Sequence, residues 1–187
     1  MQKKPYWLAT LALVLAALAC TIFVGGPDYP VEPIPVSTEA VLGLQEEIKA
    51  ALKAGAQAGS VSMAINEEQL TSYLAFRLQS QAEPLFTEPQ VYLRDGQMQI
   101  YGKARQGYFT ANVGIVVTAG VDEQGRPKVE ITSADFGPLP VPAGLKETMS
   151  TAIEEAYTSS LGPIATGFRL ESITIANGLM TVAGRIK

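Results

Sequence analysis

Residues 6–26, YWLATLALVLAALACTIFVGG, contain no charged side chain, and none follows until Asp28. About 20 apolar residues in a helix span the hydrocarbon core of a bilayer. No face of this run is polar, which argues against a buried core helix. Lys3 and Lys4 flank it on one side, and Asp28, Glu32 and Glu39 lie on the other. The positive-inside rule places the lysines in the cytoplasm and the chain beyond Gly26 outside. Tyr6 and Trp7 suit the interface on the lysine side. Segment 1–26 is therefore expected to be an N-terminal membrane anchor. The rest of the chain is expected on the extracytoplasmic face of a bacterial cell membrane.

Two fates fit the anchor. Ala17-Leu18-Ala19-Cys20 resembles a lipobox, which would make Cys20 a lipidation site, acylated and N-terminal after cleavage. Ala19 fits that pattern, but Leu18 stands one position closer to the cysteine than is usual. The alternative is an uncleaved signal-anchor helix, with Cys20 as a small apolar residue. Both fates tether the chain to a membrane as its first partner. Setting Lys3 and Lys4 aside leaves 12 of the 14 basic residues against 18 acidic ones, a charge of −6. That balance disfavours broad adhesion to anionic headgroups and argues against a nucleic-acid partner.

Residues 27–37, PDYPVEPIPVS, carry four prolines and read as an extended tether. At about 3.1 Å per residue such a spacer would hold a domain roughly 30 Å from the bilayer. A single domain is expected over 38–187, long enough for one core. Apolar spacing predicts a first helix over 38–54 through Val41, Leu44, Ile48, Ala51 and Leu52. A strand follows at 60–65. Asn66 and Gln69 then open a second helix in the manner of a capping box. Residues 90–103 predict a hairpin turning at Asp95-Gly96. Residues 108–121 alternate for their whole length, and 128–134 form the next strand. FGPLPVP at 136–142 crosses to a third helix over 143–161. A second hairpin, 168–187, turns at Asn177-Gly178.

The two hairpins echo one another. VYLRDGQMQIYGK (91–103) aligns without gaps on ITIANGLMTVAGR (173–185). Two-residue turns pair Leu93 with Met98 and Val91 with Ile100, and likewise Ile175 with Met180 and Ile173 with Val182. An amphipathic helix is expected ahead of each hairpin, a helix–hairpin unit used twice or a convergence of hairpin patterns.

Chemistry is sparse. The chain has no histidine and one cysteine, which removes His-based catalysis, His-ligated metals, intrachain disulfides and cysteine zinc clusters. No serine lies in a nucleophile motif, and no glycine-rich phosphate loop is present. Asp122, Glu123 and Gln124 read as solvated turn residues without calcium-loop spacing. No catalytic residue, metal ligand or cofactor site is expected, and the chain does not read as an enzyme.

The apolar surface is more informative. Phe109, Val113, Ile115 and Val117 lie on one side of the long strand, and Leu93, Met98, Ile175 and Met180 on the hairpins. Leu145 and Met149 lie on the third helix. These residues either pack on one another as an ordinary core or line a groove for an acyl chain. Tyr108, Val116, Tyr92 and Tyr101 lie on the opposite face and belong either to such a groove or to ordinary surface.

The order of INEEQLTSYLAFRL, VYLRDGQMQIYGK, the long strand, VDEQGRPKVEI, FGPLPVP and ITIANGLMTVAGR resembles the LmeA/YpmS-like group of membrane-anchored bacterial proteins, related in style to tubular lipid-binding (TULIP-like) folds. The resemblance covers about residues 60–187 and rests on hydrophobic and turn patterns. It implies phospholipid binding in an apolar tunnel at the cell envelope and supplies no catalytic residue. This chain departs from it in its compact size and its lack of a basic patch.

The expected fold is α+β, a curved and mostly antiparallel sheet of six to seven strands with about three helices on one face. The expected function is a membrane-tethered lipid- or amphiphile-binding module for a phospholipid or fatty acyl ligand. The alternative is a structural or protein-interaction domain of the cell envelope with a filled core.

Overall fold

A computed structural model of the chain describes residues 21–143 and 168–186. The predicted third helix, with Leu145 and Met149, falls outside the described residues, as does Cys20. Within them the protein is α+β, with eight strands and two helices. In chain order these are β1 (Ile22–Phe23), α1 (Thr38–Ala58), β2 (Ser60–Asn66), α2 (Glu67–Gln79), β3 (Thr87–Arg94), β4 (Gln97–Gln106), β5 (Phe109–Val121), β6 (Pro127–Asp135), β7 (Phe168–Ala176) and β8 (Leu179–Ile186).

The strands form two sheets rather than the one expected. A five-stranded sheet runs β3–β4–β5, with β6 and β1 sharing the far edge of β5. A three-stranded sheet runs β2–β8–β7. All pairings are antiparallel except β1 with β5. Both hairpins turn where the sequence expects. Asp95 and Gly96 take φ of 51° and 76°, and Asn177 and Gly178 take 53° and 78°, values that a two-residue hairpin turn requires. The registers Leu93–Met98, Val91–Ile100, Ile175–Met180 and Ile173–Val182 are all present. The echo thus places one hairpin in each sheet, and the second pairs with β2. The two turns meet where the Gly178 N–H donates to the Leu93 carbonyl at 3.1 Å.

The helices begin at side-chain caps. The Ser37 hydroxyl accepts from the Ala40 N–H at 3.0 Å at the head of α1. Asn66 and Gln69 close a reciprocal capping box on α2, at 2.8 and 2.9 Å. α1 runs one turn past its expected end. Gly55 stays helical, and the left-handed Gly59 stops the helix. α2 covers the outer edge of β3. The Thr71 hydroxyl accepts from Val91 N–H at 3.0 Å, and the Glu67 carboxylate accepts from Leu93 N–H at 2.7 Å. These bonds satisfy strand donors that would otherwise invite a foreign strand.

Two apolar clusters result. The larger joins Leu78, Phe86, Val91, Leu93, Ile100, Val113, Ile115, Val117, Phe136 and Ile175, between the five-stranded sheet, α2 and β7. The smaller joins Leu52, Val61 and Leu170, where α1 meets the three-stranded sheet.

The N-terminal boundaries differ from expectation. Ile22 and Phe23, read as the end of a membrane helix, are a strand. Ile22 N–H donates to Tyr108 C=O at 2.7 Å, Val24 N–H to Thr110 C=O at 2.8 Å, and Asn112 N–H to Gly25 C=O at 2.9 Å. Gly25 and Gly26 follow with φ of 101° and 116°, which no right-handed helix tolerates. The apolar run therefore leaves any helix by Thr21. Among the described residues no helix is long and apolar enough to cross a membrane.

Candidate functional site

The groove candidates divide by burial. Leu93, Val113, Ile115, Val117 and Ile175 are between 0% and 5% exposed and fill the larger core. Met98 and Met180, equivalent positions of the two hairpins, are only half-buried against the same cluster. Val129, Ile131 and Leu139 share that status beside it. The sequence reading missed these three as site residues, although the alternation of Lys128-Val129-Glu130-Ile131 signals one apolar strand face. The core is therefore closed along β3–β5 and half-open along this flank. Methionine suits such a place, because its unbranched thioether repacks around different shapes.

Phe109 stands apart from the other candidates. It continues the core-facing stripe of β5 but lies beyond the core, at 46% exposure. The backbone brings it beside Ile22, its register partner, with Tyr108 and Phe23 adjacent in sequence. Those three are 54% to 61% exposed. The corner formed by β1 and the β4–β5 turn is thus apolar and open. Arg105, opposite Thr110 on β4, flanks it and donates from Nε to the Gly107 carbonyl at 3.0 Å.

The opposite face of the sheet carries Tyr92, Tyr101 and half-buried Val116. The proline-rich segment 27–37 crosses it. Expected as a spacer standing clear, the segment is instead a strap fastened to the domain. Asn112 Nδ2 donates to Pro27 C=O at 3.0 Å, and Tyr29 Oη to Glu88 C=O at 2.8 Å. Tyr92 Oη donates to Glu32 C=O at 3.1 Å. Gln90 holds Ile34 both ways, accepting from its N–H at 2.5 Å and donating to its C=O at 3.3 Å. Ser37 N–H then donates to Ser72 Oγ at 3.1 Å at the start of α1.

Prolines explain why this strap needs side-chain partners. Pro27, Pro30, Pro33 and Pro35 lack the N–H groups a strand would use. Tyr29 and Tyr92 are both held protonated above the ordinary tyrosine range. Burial is the main cause, and the nearby carboxylates of Glu88 and Glu67 respectively add to it. Lys103 lies 5.4 Å from the Tyr29 ring centroid and pairs with Glu88 at 2.7 Å.

Compared with protein-family models, curated proteins and solved structures, the chain matches none.

Proposed function

We propose that this chain is a membrane-tethered, extracytoplasmic module that binds a lipid or other amphiphile and does no chemistry on it. The half-open flank carries this reading: Met98 and Met180 with Val129, Ile131 and Leu139, beside an otherwise closed core. An acyl chain laid along these side chains would be stabilised by about 0.8 kcal/mol per buried methylene. The sequence of residues 6–20 supports the tether, and the resemblance to the LmeA/YpmS-like group agrees with the ligand class.

A second reading is favoured by the burial of Leu93, Val113, Ile115, Val117 and Ile175. It is a structural or protein-interaction domain of the envelope with a filled core.

Photo-crosslinking separates the two. The full chain is reconstituted in phosphatidylcholine vesicles whose acyl chains carry a diazirine, irradiated, and mapped by peptide mass spectrometry. Adducts on peptides containing Met98, Ile131 or Met180 are expected. Labelling that spares all three would sink the ligand reading and leave the filled-core one.

A further inference from the structure

We infer that the corner built by β1 and the β4–β5 turn is a foot that rests in the outer leaflet of the bilayer. This rests on the reading of residues 6–20 as a membrane anchor, and not on the flank as a ligand site.

Single exposed apolar side chains on a protein surface need no explanation, whereas contiguous ones do. Ten large apolar side chains are exposed among the described residues, and four of them, Ile22, Phe23, Tyr108 and Phe109, lie at this corner, Ile22 and Phe109 on one face of the sheet and Phe23 on the other, so that both faces of its tip are apolar. Backbone hydrogen bonds hold them together, because Ile22 N–H donates to Tyr108 C=O.

The chain before the corner identifies the occupant. A residue spans at most about 3.6 Å, so Ile22 lies within roughly 7 Å of Cys20. An acyl chain on Cys20 and the end of a spanning helix both put that atom at the edge of the hydrocarbon. The corner can therefore reach the lipid without any slack in the chain.

Length points the same way. With Ile22 and Phe23 in β1, a helix of residues 6–20 would be only about 22 Å long, against a hydrocarbon core of about 30 Å. Such a shortfall is relieved when flanking apolar groups sink into the leaflet. Tyr108 has the amphipathic ring found at membrane interfaces. Arg105, opposite Thr110 beside the corner, has no carboxylate partner among the described residues and supplies a cation to the polar rim of the foot.

The fastening of the strap makes the foot rigid. Segment 22–37 is bonded to the domain from β1 to the head of α1, so domain and corner move as one body.

The test uses the full chain with Trp7→Phe, which removes its single tryptophan. One reporter is then added, either Phe109→Trp at the foot or Leu179→Trp at the far end of the domain. Leu179 is also exposed and follows the turn that meets Leu93. The run of β4 from Met98, the partner of Leu93, to Gln106 puts roughly 26 Å between the two ends. Each variant is reconstituted in phosphatidylcholine–phosphatidylglycerol vesicles with plain or brominated acyl chains and followed by flotation and fluorescence.

The expected result is flotation of both variants, with loss of most of the emission from the residue 109 reporter in brominated vesicles and none from the residue 179 reporter. Flotation with equal emission in both lipids would overturn the foot while leaving the anchor intact. Blue-shifted but unquenched emission at residue 109 would assign the corner to a second copy or to residues 144–167, and also overturn it. Failure to float would remove the anchor itself and the inference with it.

Discussion

Replacing Gln90 by alanine should free the middle of the strap without unfolding the domain. Gln90 is 4% exposed, and its carboxamide makes both contacts to Ile34. Water cannot take over these bonds until the strap lifts. Each such hydrogen bond contributes about 1 kcal/mol net. The 2.5 Å bond to the Ile34 N–H is the stronger, and the 3.3 Å bond to its carbonyl the weaker. Losing one to two effective bonds costs about 1–2 kcal/mol, a rise of roughly 5- to 30-fold in local opening. Hydrogen exchange at the Ile34 amide reads this directly. Pro30, Pro33 and Pro35 carry no N–H, so few amides compete within the same peptide. The amides of Val113 and Ile115, inside the β4–β5 ladder, should keep their protection. Unchanged exchange at Ile34 would refute the claim that Gln90 fastens the strap. Equal acceleration at Val113 and Ile115 would refute the claim that the strap opens separately from the core.

Gly55→Ala tests packing against propensity. Alanine gains about 1 kcal/mol in a helix interior, but its Cβ would sit 2.1 Å from Val61 Cγ2, a side chain only 2% exposed. Overpacking costs about 1–3 kcal/mol, so urea denaturation should give lower stability for Gly55→Ala, and adding Val61→Ala should recover part of it. Alkali should loosen the strap, because Tyr29 and Tyr92 hold their protons above the ordinary value of 10.0. A raised folded-state pKa contributes stability that is complete below the unfolded pKa and is lost as pH rises through the folded one. Phenolate absorbance should therefore show a late-ionising fraction above pH 10.0 in the wild type. That fraction should disappear in the Tyr29→Phe/Tyr92→Phe variant, and its persistence there would assign it to other tyrosines.

Local patterns in the sequence were faithful to local structure. Asp95-Gly96 and Asn177-Gly178 specified their turns, because few dipeptides accept two successive positive φ angles. Asn66 and Gln69 specified the head of α2 with two reciprocal bonds. The alternation of β5 placed Val113, Ile115 and Val117 inside, yet it could not show that the core stops before Phe109. Where a stripe ends depends on what packs across it, and those residues lie elsewhere in the chain. The strap was illegible for the same reason. Its proline content reads as a free spacer, and its partners Gln90 and Asn112 are polar residues that no periodicity marks. β1 was hidden inside a longer apolar run, because a two-residue strand leaves no alternation to detect. The helix predicted to end at 54 runs on through Gly55, whose missing side chain lets it approach Val61.

The strap also bears on the order in which the chain can fold. Its contacts join residues far apart in sequence: Pro27 with Asn112 across 85 positions, Tyr29 with Glu88 across 59, Ile34 with Gln90 across 56. Synthesis delivers residues 22–37 before β3, β4 and β5, while the surface they bind exists only after those strands have paired. Contacts of such long separation form slowly, after the local hairpins. Closure of residues 22–37 onto the sheet is thus a late folding step, and a segment made before its docking surface is fixed only after that surface has formed.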